Sequence, residues 1–283
     1  MATETCTLLD ETAAAVSAPH VYARLTEAIA NPRGSTALIA EIISEDAALT
    51  ARLLRLVNSA FYGFPFPVDT VSRAVMLVGT QQISDLALAT SVMTTFDGIP
   101  DDLVDMESFW LHNVATGVAA RLLADLRREP LVERFFVAGV LHDIGRLLLL
   151  GQRPAQMREA MEHCERTGTP LLEVEHAIFG FDHAALGGAL LRAWKLPPAL
   201  EDMVAFHHAP SRCTHSLEAA LVHVADVIAH TLPLGTSGER AVPPLDPPAW
   251  TLLGVNPTIL ERTVEQMEAQ VSETVRLILS PLA

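Results

Sequence analysis

The sequence predicts an all-α protein, a multi-helix bundle, on three observations. Apolar residues make up 50% of the 283 but aromatics only 5%, and the alanine and leucine that dominate favour packed helices over sheets. Apolar positions recur at helical spacing, as Leu49, Leu53, Leu56 and Val57 do behind a capping Asp46. Pro and Gly clusters punctuate the chain between such stretches, and no repeat of fixed period runs through it.

Residues 1–18 are small, polar and weakly periodic, which predicts a flexible start. An amphipathic helix follows from Val21 to Ala30 and stops at Asn31-Pro32-Arg33-Gly34. Ser35 caps a second helix to about Ser44, and Asp46 a third that ends at Asn58-Ser59-Ala60. The next segment, FYGFPFP at 61–67, holds four of the chain's fifteen aromatics. It is expected to plug its loop into the core, since aromatic loops bury themselves. Helices over about 70–78 and 80–96 follow, split at Gly79.

The segment FDGIPDDLVDM at 96–106, with four Asp, a Pro and a Gly, marks a boundary. Beyond it the pattern predicts helices near 107–127, 131–150, 154–167 and 171–178, one capped by Asp182 to Trp194, one opened by Pro197-Pro198 to about His208, and one from Ser216 to His230. Residues 232–248, with five Pro and two Gly, read as an extended linker. The last helix, 256–280, carries an apolar stripe that includes Val264, Met267 and Val271, fit to pack on its own chain or on a second copy. The expected organisation is a flexible 1–18, a helical 19–105, a second helical part over 106–230, a linker at 231–248 and a C-terminal helix within 249–283.

A net charge of −15, with 19 Lys and Arg in no run longer than Arg127-Arg128, argues against direct nucleic-acid binding, which needs a basic stripe to displace counterions. Cys6, Cys164 and Cys213 are odd in number, widely spaced and outside any CxxC, so neither a disulfide framework nor a thiolate zinc site is expected. No uninterrupted apolar run approaches the ~20 residues of a membrane span, and the first twenty residues lack the basic start and apolar centre of a signal peptide. The expectation is a chain without membrane association, located in the cytoplasm.

The functional signal is LHDIGR at 141–146, inside the apolar run VAGVLHDIGRLLLL. It sets adjacent His142 and Asp143 where burial would normally exclude them. His112, His183, His207, His208 and Asp226 also fall on predicted helices among apolar neighbours. Taken singly, each is better explained as a hydrogen-bonded core residue or a cap. The ordered set from 112 to 226 points instead to inward-facing ligands on bundle helices. A carboxylate among histidines favours a divalent transition metal (iron, manganese, zinc or nickel) over calcium. His223 and His230 flank Asp226 at i−3 and i+4, so either could reach its carboxylate on the helix face; they are read chiefly as solvated or hydrogen-bonding residues, with support of the Asp226 ligand as the alternative. His163, His176 and His215 are read as surface residues.

These residues carry a resemblance. EDAALTARLLRLVNSAFYG at 45–63, AVMLVGTQQISDLAL at 74–88, FWLHN at 109–113, VAGVLHDIGRLLL at 137–149, FDHAALGGALLRAWKLP at 181–197 and FHHAP at 206–210 resemble the HDOD family. HDOD domains are HD-related output domains of bacterial signalling proteins, within the superfamily of HD metal-dependent phosphohydrolases. The resemblance implies an HD-like helical bundle with an N-terminal helical subdomain. It also implies one metal ion at His112, His142, Asp143 and Asp226, and a second at His183, His207 and His208 with Asp143 bridging. Two departures point away from catalysis. HD phosphodiesterases of the HD-GYP kind carry Lys at the position of Arg146, and Arg cannot act as a general acid or base near neutral pH. Ala209-Pro210 stands where their Gly-Tyr-Pro loop would follow.

The leading expectation is a bacterial regulator acting through signalling-protein partners, with a retained metal site and a possible homodimer through the C-terminal helix. The alternative is a metal-dependent phosphohydrolase of a nucleotide or cyclic dinucleotide, with Asp143 bridging two ions and Arg146 clamping phosphate. A third reading is an interaction domain whose polar residues only hydrogen-bond to one another.

Overall fold

The structure, a computed structural model, describes residues 9–31, 35–93, 95–96, 99–239 and 241–279. Among the described residues every regular element is helical and there is no strand, so the chain is all-α. It forms two compact units. One comprises residues 18–97 with 265–283, the other 1–17 with 98–264.

In the first unit, α1 (His20–Ala30), α2 (Thr36–Ser44), α3 (Ala47–Val57), α4 (Val71–Val78) and α5 (Thr80–Val92) follow one another closely. Three of these starts are set by side-chain caps. Ser35, Asp46 and Thr70 accept from the backbone N–H of Leu38, Leu49 and Arg73, each satisfying a donor the helix leaves free. Gly79 separates α4 from α5 because its φ of 101° is one a side chain would resist. The stripe expected on α3 is the buried one: Leu49, Leu53, Leu56 and Val57 are all inside. Burying each such side chain stabilises the fold by about 1.5–3 kcal/mol.

The aromatic loop only partly follows expectation. Phe61 is the buried plug, whereas Tyr62, Phe64 and Phe66 stack in series with centroids 5.7 and 6.3 Å apart, and Phe66 is exposed beneath the Arg73 guanidinium. Asn58 clamps the loop. Its amide donates to Leu54 O and Val68 O, and its carbonyl accepts from Val68 N.

The second unit contains α6 (Met106–Leu126), α7 (Glu133–Leu141), α8 (Ile144–Gln152), α9 (Pro154–Thr167), α10 (Leu171–Phe179), α11 (His183–Ala193), α12 (Pro198–Ala205), α13 (Ser216–Thr231) and α14 (Pro247–Leu253). The long helix α15 (Pro257–Leu279) gives its first residues to this unit and the rest to the other. Glycines let the central helices approach closely. A Cβ on Gly139 of α7 would lie 2.5 Å from Gly117 Cα on α6, and one on Gly145 of α8 would lie 2.8 Å from Gly187 N on α11. Both distances are well inside van der Waals contact, so no larger residue fits without moving backbone.

Three expectations need revision. The single helix predicted over 131–150 is two helices, α7 and α8, broken at His142-Asp143, where Asp143 adopts φ −97° and ψ 11°. The stretch 232–248, read as an extended linker, lies in the second unit and contributes the buried Ser237 and Glu239. Of the flexible start, residues 1–8 lie outside the described residues. Residues 9–14 are helical, and the Gln152 and Trp194 side chains donate to Thr12 O and Val16 O.

Candidate metal centre

The seven residues read from the sequence all belong to the second unit, and the fold brings them together. His112 lies in the first half of α6 and Asp226 in the second half of α13, with His112 Nε2 3.1 Å from Asp226 Oδ1. His142 and Asp143 occupy the break between α7 and α8. His183 is the first residue of α11, and His207-His208 form the turn after α12 rather than its last residues. Except for half-buried His208, none is more than 1% exposed.

Two of the histidines are aimed by helix ends. A helix leaves its last carbonyls without intrahelical donors. His142 Nδ1–H donates to Gly139 O, and His207 Nδ1–H donates to Val204 O, both at 2.7 Å. Each bond spends one ring nitrogen on the backbone and leaves the Nε2 lone pair facing the centre. His142 Nε2 lies 3.2 Å from Asp143 Oδ2 and 3.4 Å from Asp226 Oδ1, and His207 Nε2 lies 3.9 Å from Asp143 Oδ1.

The electrostatics are those of a cation site. Burial pushes the Asp143 carboxyl upward, but the charges of Arg146 and His142 outweigh it and hold Asp143 well below the usual carboxylate range. Asp226 is likewise held down by His230 and His142 against the upward push of burial. Burial lowers His112 to about 4 and keeps it neutral. His142 is lowered by burial but raised further by the Asp143 and Asp226 carboxylates, to about 10. A proton on His142 thus supplies the positive charge that two buried carboxylates require.

Whether a metal ion fits can be judged from the buried atoms that make no hydrogen bond. They include His142 Nε2, both Asp143 oxygens, His207 Nε2 and Asp226 Oδ2. Leaving such atoms unpaired would cost about 1–3 kcal/mol each, and a single divalent ion could satisfy them together. His112, His142 and Asp226 have ligand atoms within 4.8 Å of one another, and so do His142, Asp143 and His207. A third group, His183, His207 and His208, meets the same limit.

Sequence reasoning missed most of the residues behind this centre, though not His230. Glu175 Oε2 accepts from His183 Nδ1 at 2.6 Å and from the His183 backbone N–H at 2.9 Å. Glu175 stands on the apolar stripe of α10 beside Leu171 and Val174, and a carboxylate on a buried stripe was the available signal. His230 is more than a solvated neighbour, since its Nδ1 lies 2.9 Å from Asp226 Oδ1. His223 is buried away from the ligands: its Nδ1–H donates to His207 O, and its Nε2 accepts from Asp246 N. Arg146 is 1% exposed and turned inward. Its Nη1 donates to Ser237 Oγ at 2.5 Å, and its guanidinium nitrogens lie 3.3 Å from Asp143 Oδ2, 3.7 Å from Glu239 Oε2 and 4.0 Å from Glu175 Oε1.

Comparison with known proteins agrees with this architecture. The HDOD domain family matches residues 16–210, a span that stops short of Asp226 and the 236–239 segment. A candidate phosphohydrolase from Shewanella amazonensis superposes with a TM-score of 0.73 at 26% identity, covering 92% of this chain and 93% of that one. An HDOD domain protein of unknown function from Geobacter sulfurreducens gives 0.76 at 21% identity, covering 98% of each chain, and therefore bears on the fold alone. An uncharacterized protein of Treponema pallidum is 27% identical over 191 residues. That match takes in 67% of this chain but only 37% of the Treponema protein.

Proposed function

Because the chain belongs to the HDOD domain family, we propose that it is a regulatory protein of a bacterial cytoplasm, acting through contacts with signalling proteins. In this reading the buried histidine–aspartate centre holds a divalent transition metal for structure or sensing. His112, His142, Asp143, His207 and Asp226 would hold the ion, which when bound would supply positive charge to the paired carboxylates and, were the site open, Lewis acidity.

One observation carries this reading. Apart from His208, every candidate ligand is at most 1% exposed. A phosphate ester has to reach the ions and bring a water with it, and these side chains are covered. Arg146, the natural candidate to clamp such a phosphate, spends its donors on Ser237 and its own buried neighbours. A Marinobacter aquaeolei protein of matching fold, TM-score 0.71 at 19% identity, is a candidate signal transduction protein, whereas the Shewanella likeness keeps phosphohydrolysis as the competing reading.

The two readings separate in a direct assay. Protein loaded with manganese, iron, zinc or nickel is incubated with nucleotides and cyclic dinucleotides, beside its Asp143→Ala variant. The regulatory reading expects no turnover above the variant, with bound metal present in the parent and lost in the variant. Turnover abolished by Asp143→Ala would establish the phosphohydrolase instead, and a parent that takes up no metal would leave a purely hydrogen-bonded cluster.

A further inference from the structure

The resemblance to HD proteins implies room for two ions, but the side chains around His183 do not fit the second. We infer that Arg146 is a built-in occupant of the second cation position, so that the centre takes one ion rather than two. The inference rests on the proposal that the centre binds metal, and concerns how many ions it takes and why.

The geometry is specific to His183. Its Nδ1–H is committed to Glu175, which leaves Nε2 as the ring nitrogen that an ion would have to use. Arg146 Nη2 stands 3.1 Å from that Nε2. The same Nε2 lies 2.9 Å from His208 Nε2 and 3.1 Å from Asp143 Oδ1. An ion bridging Asp143 and His183 needs each ligand at roughly 2 Å, and it would have to displace the guanidinium that stands against His183 Nε2. The first position differs. His142 Nε2 and His207 Nε2 make no hydrogen bond, and no guanidinium nitrogen is paired with either.

Charge leads to the same conclusion. The guanidinium is permanently positive and faces Asp143, Glu175 and Glu239. It already supplies the positive charge that a second ion would bring to this side of Asp143, and it would repel that ion. Moving it aside would strand the three carboxylates and the Ser237 hydroxyl, all buried. The stretch 236–239 is thereby tied to the position. Thr236 N donates to Ser108 on α6, and Glu239 accepts from Leu171 N.

The test counts ions. The full chain is stripped with a chelator, reloaded with excess manganese or zinc and desalted, and metal per chain is measured by elemental analysis for the parent, Arg146→Met and Arg146→Gln. The expected result is one ion in the parent and two in either folded variant. Anomalous scattering should place the parent's ion beside His142 and Asp226, and the added ion beside His183 and His208. Two ions in the parent, or anomalous density at His183 with Arg146 intact, would overturn the inference while leaving metal binding in place. Folded variants that stay at one ion would overturn it too. No ion in the parent would instead remove the metal reading itself. Should neither variant fold, the parent's count and the location of its ion decide the matter.

Discussion

His142 and His207 reach the centre by one device, a ring N–H given to a carbonyl that a helix end would otherwise leave bare. The ligand nitrogen is thus oriented by backbone, before any metal is present. The pH response is shared with His183, which burial and Arg146 lower but Glu175 and Asp143 raise further, to about 9; His142 carries the larger shift. Its value is raised from 6.5 to about 10 in the metal-free fold, so the stabilisation it provides is full below pH 6.5 and drains away as pH rises toward 10. Melts of chelator-treated protein should therefore show His142 contributing progressively less over that window. In metal-loaded protein the ion replaces the proton on His142, and the loss should shrink to the part that His183 contributes. An identical decline in both forms would mean that no ion contacts His142. Glu175 makes a second test. Glu175→Ala leaves the two His183 N–H groups without their buried acceptor and takes one of three carboxylates from around Arg146, and denaturant melts should show a loss of about 3 kcal/mol. Glu175→Gln, which can still accept a hydrogen bond, should lose less.

Among elements, the decisive event is the break of one apolar stretch into α7 and α8. A continuous helix would splay adjacent side chains about 100° apart. The break lets His142 finish one helix while Asp143 precedes the next. The approach of α8 to α11 through Gly145 then carries Asp143 to His183. Gly145→Ala should cost about 1–3 kcal/mol or more, because the new methyl meets the backbone of α11 rather than a flexible side chain. It should also lower metal affinity in titration calorimetry. Unchanged affinity with lowered stability would show that the α8–α11 contact holds the fold without positioning the ligands. The sequence made the elements legible where caps and stripes were strong, as at Ser35, Asp46 and Asp182. The break at 142–143 carries no Pro or Gly, and nothing local distinguishes it from a helix interior.

For the whole chain, acidity and apolarity constrain partners more than they name them. Glu133–Gln152 is the one described stretch long and apolar enough to cross a membrane, and 89% of its apolar window is buried within the chain. Along α15, Thr263, Met267, Val271 and Thr274 are buried by the chain itself. A homodimer through this helix would therefore use its remaining faces, and that arrangement belongs to the proposal for partners. Light scattering on the full chain decides it. A mass near the 30.6 kDa of one chain would overturn the dimer, and about twice that mass would support it. The family match ends at residue 210, so Asp226 and the 236–239 segment, which complete and cover the centre, lie outside the part most readily recognised.

The sequence by itself determined the helical class, because composition, caps and 3.6-residue stripes are local properties. It also determined the ligand candidates, since a histidine or carboxylate in an apolar run stands out without a fold. Only the tertiary structure decided which atoms face one another. Glu175, Ser237 and Glu239 become partners of the centre through contacts that the fold, not the spacing of residues, creates. Arg146 shows the difference most clearly. In sequence it is a basic residue one turn after a metal motif, but in the fold its charge is spent inward on Asp143, Glu175 and Glu239. Burial sets that direction, because a guanidinium removed from water has to meet carboxylates, and the packing of α8, α10 and the 236–239 segment puts them there.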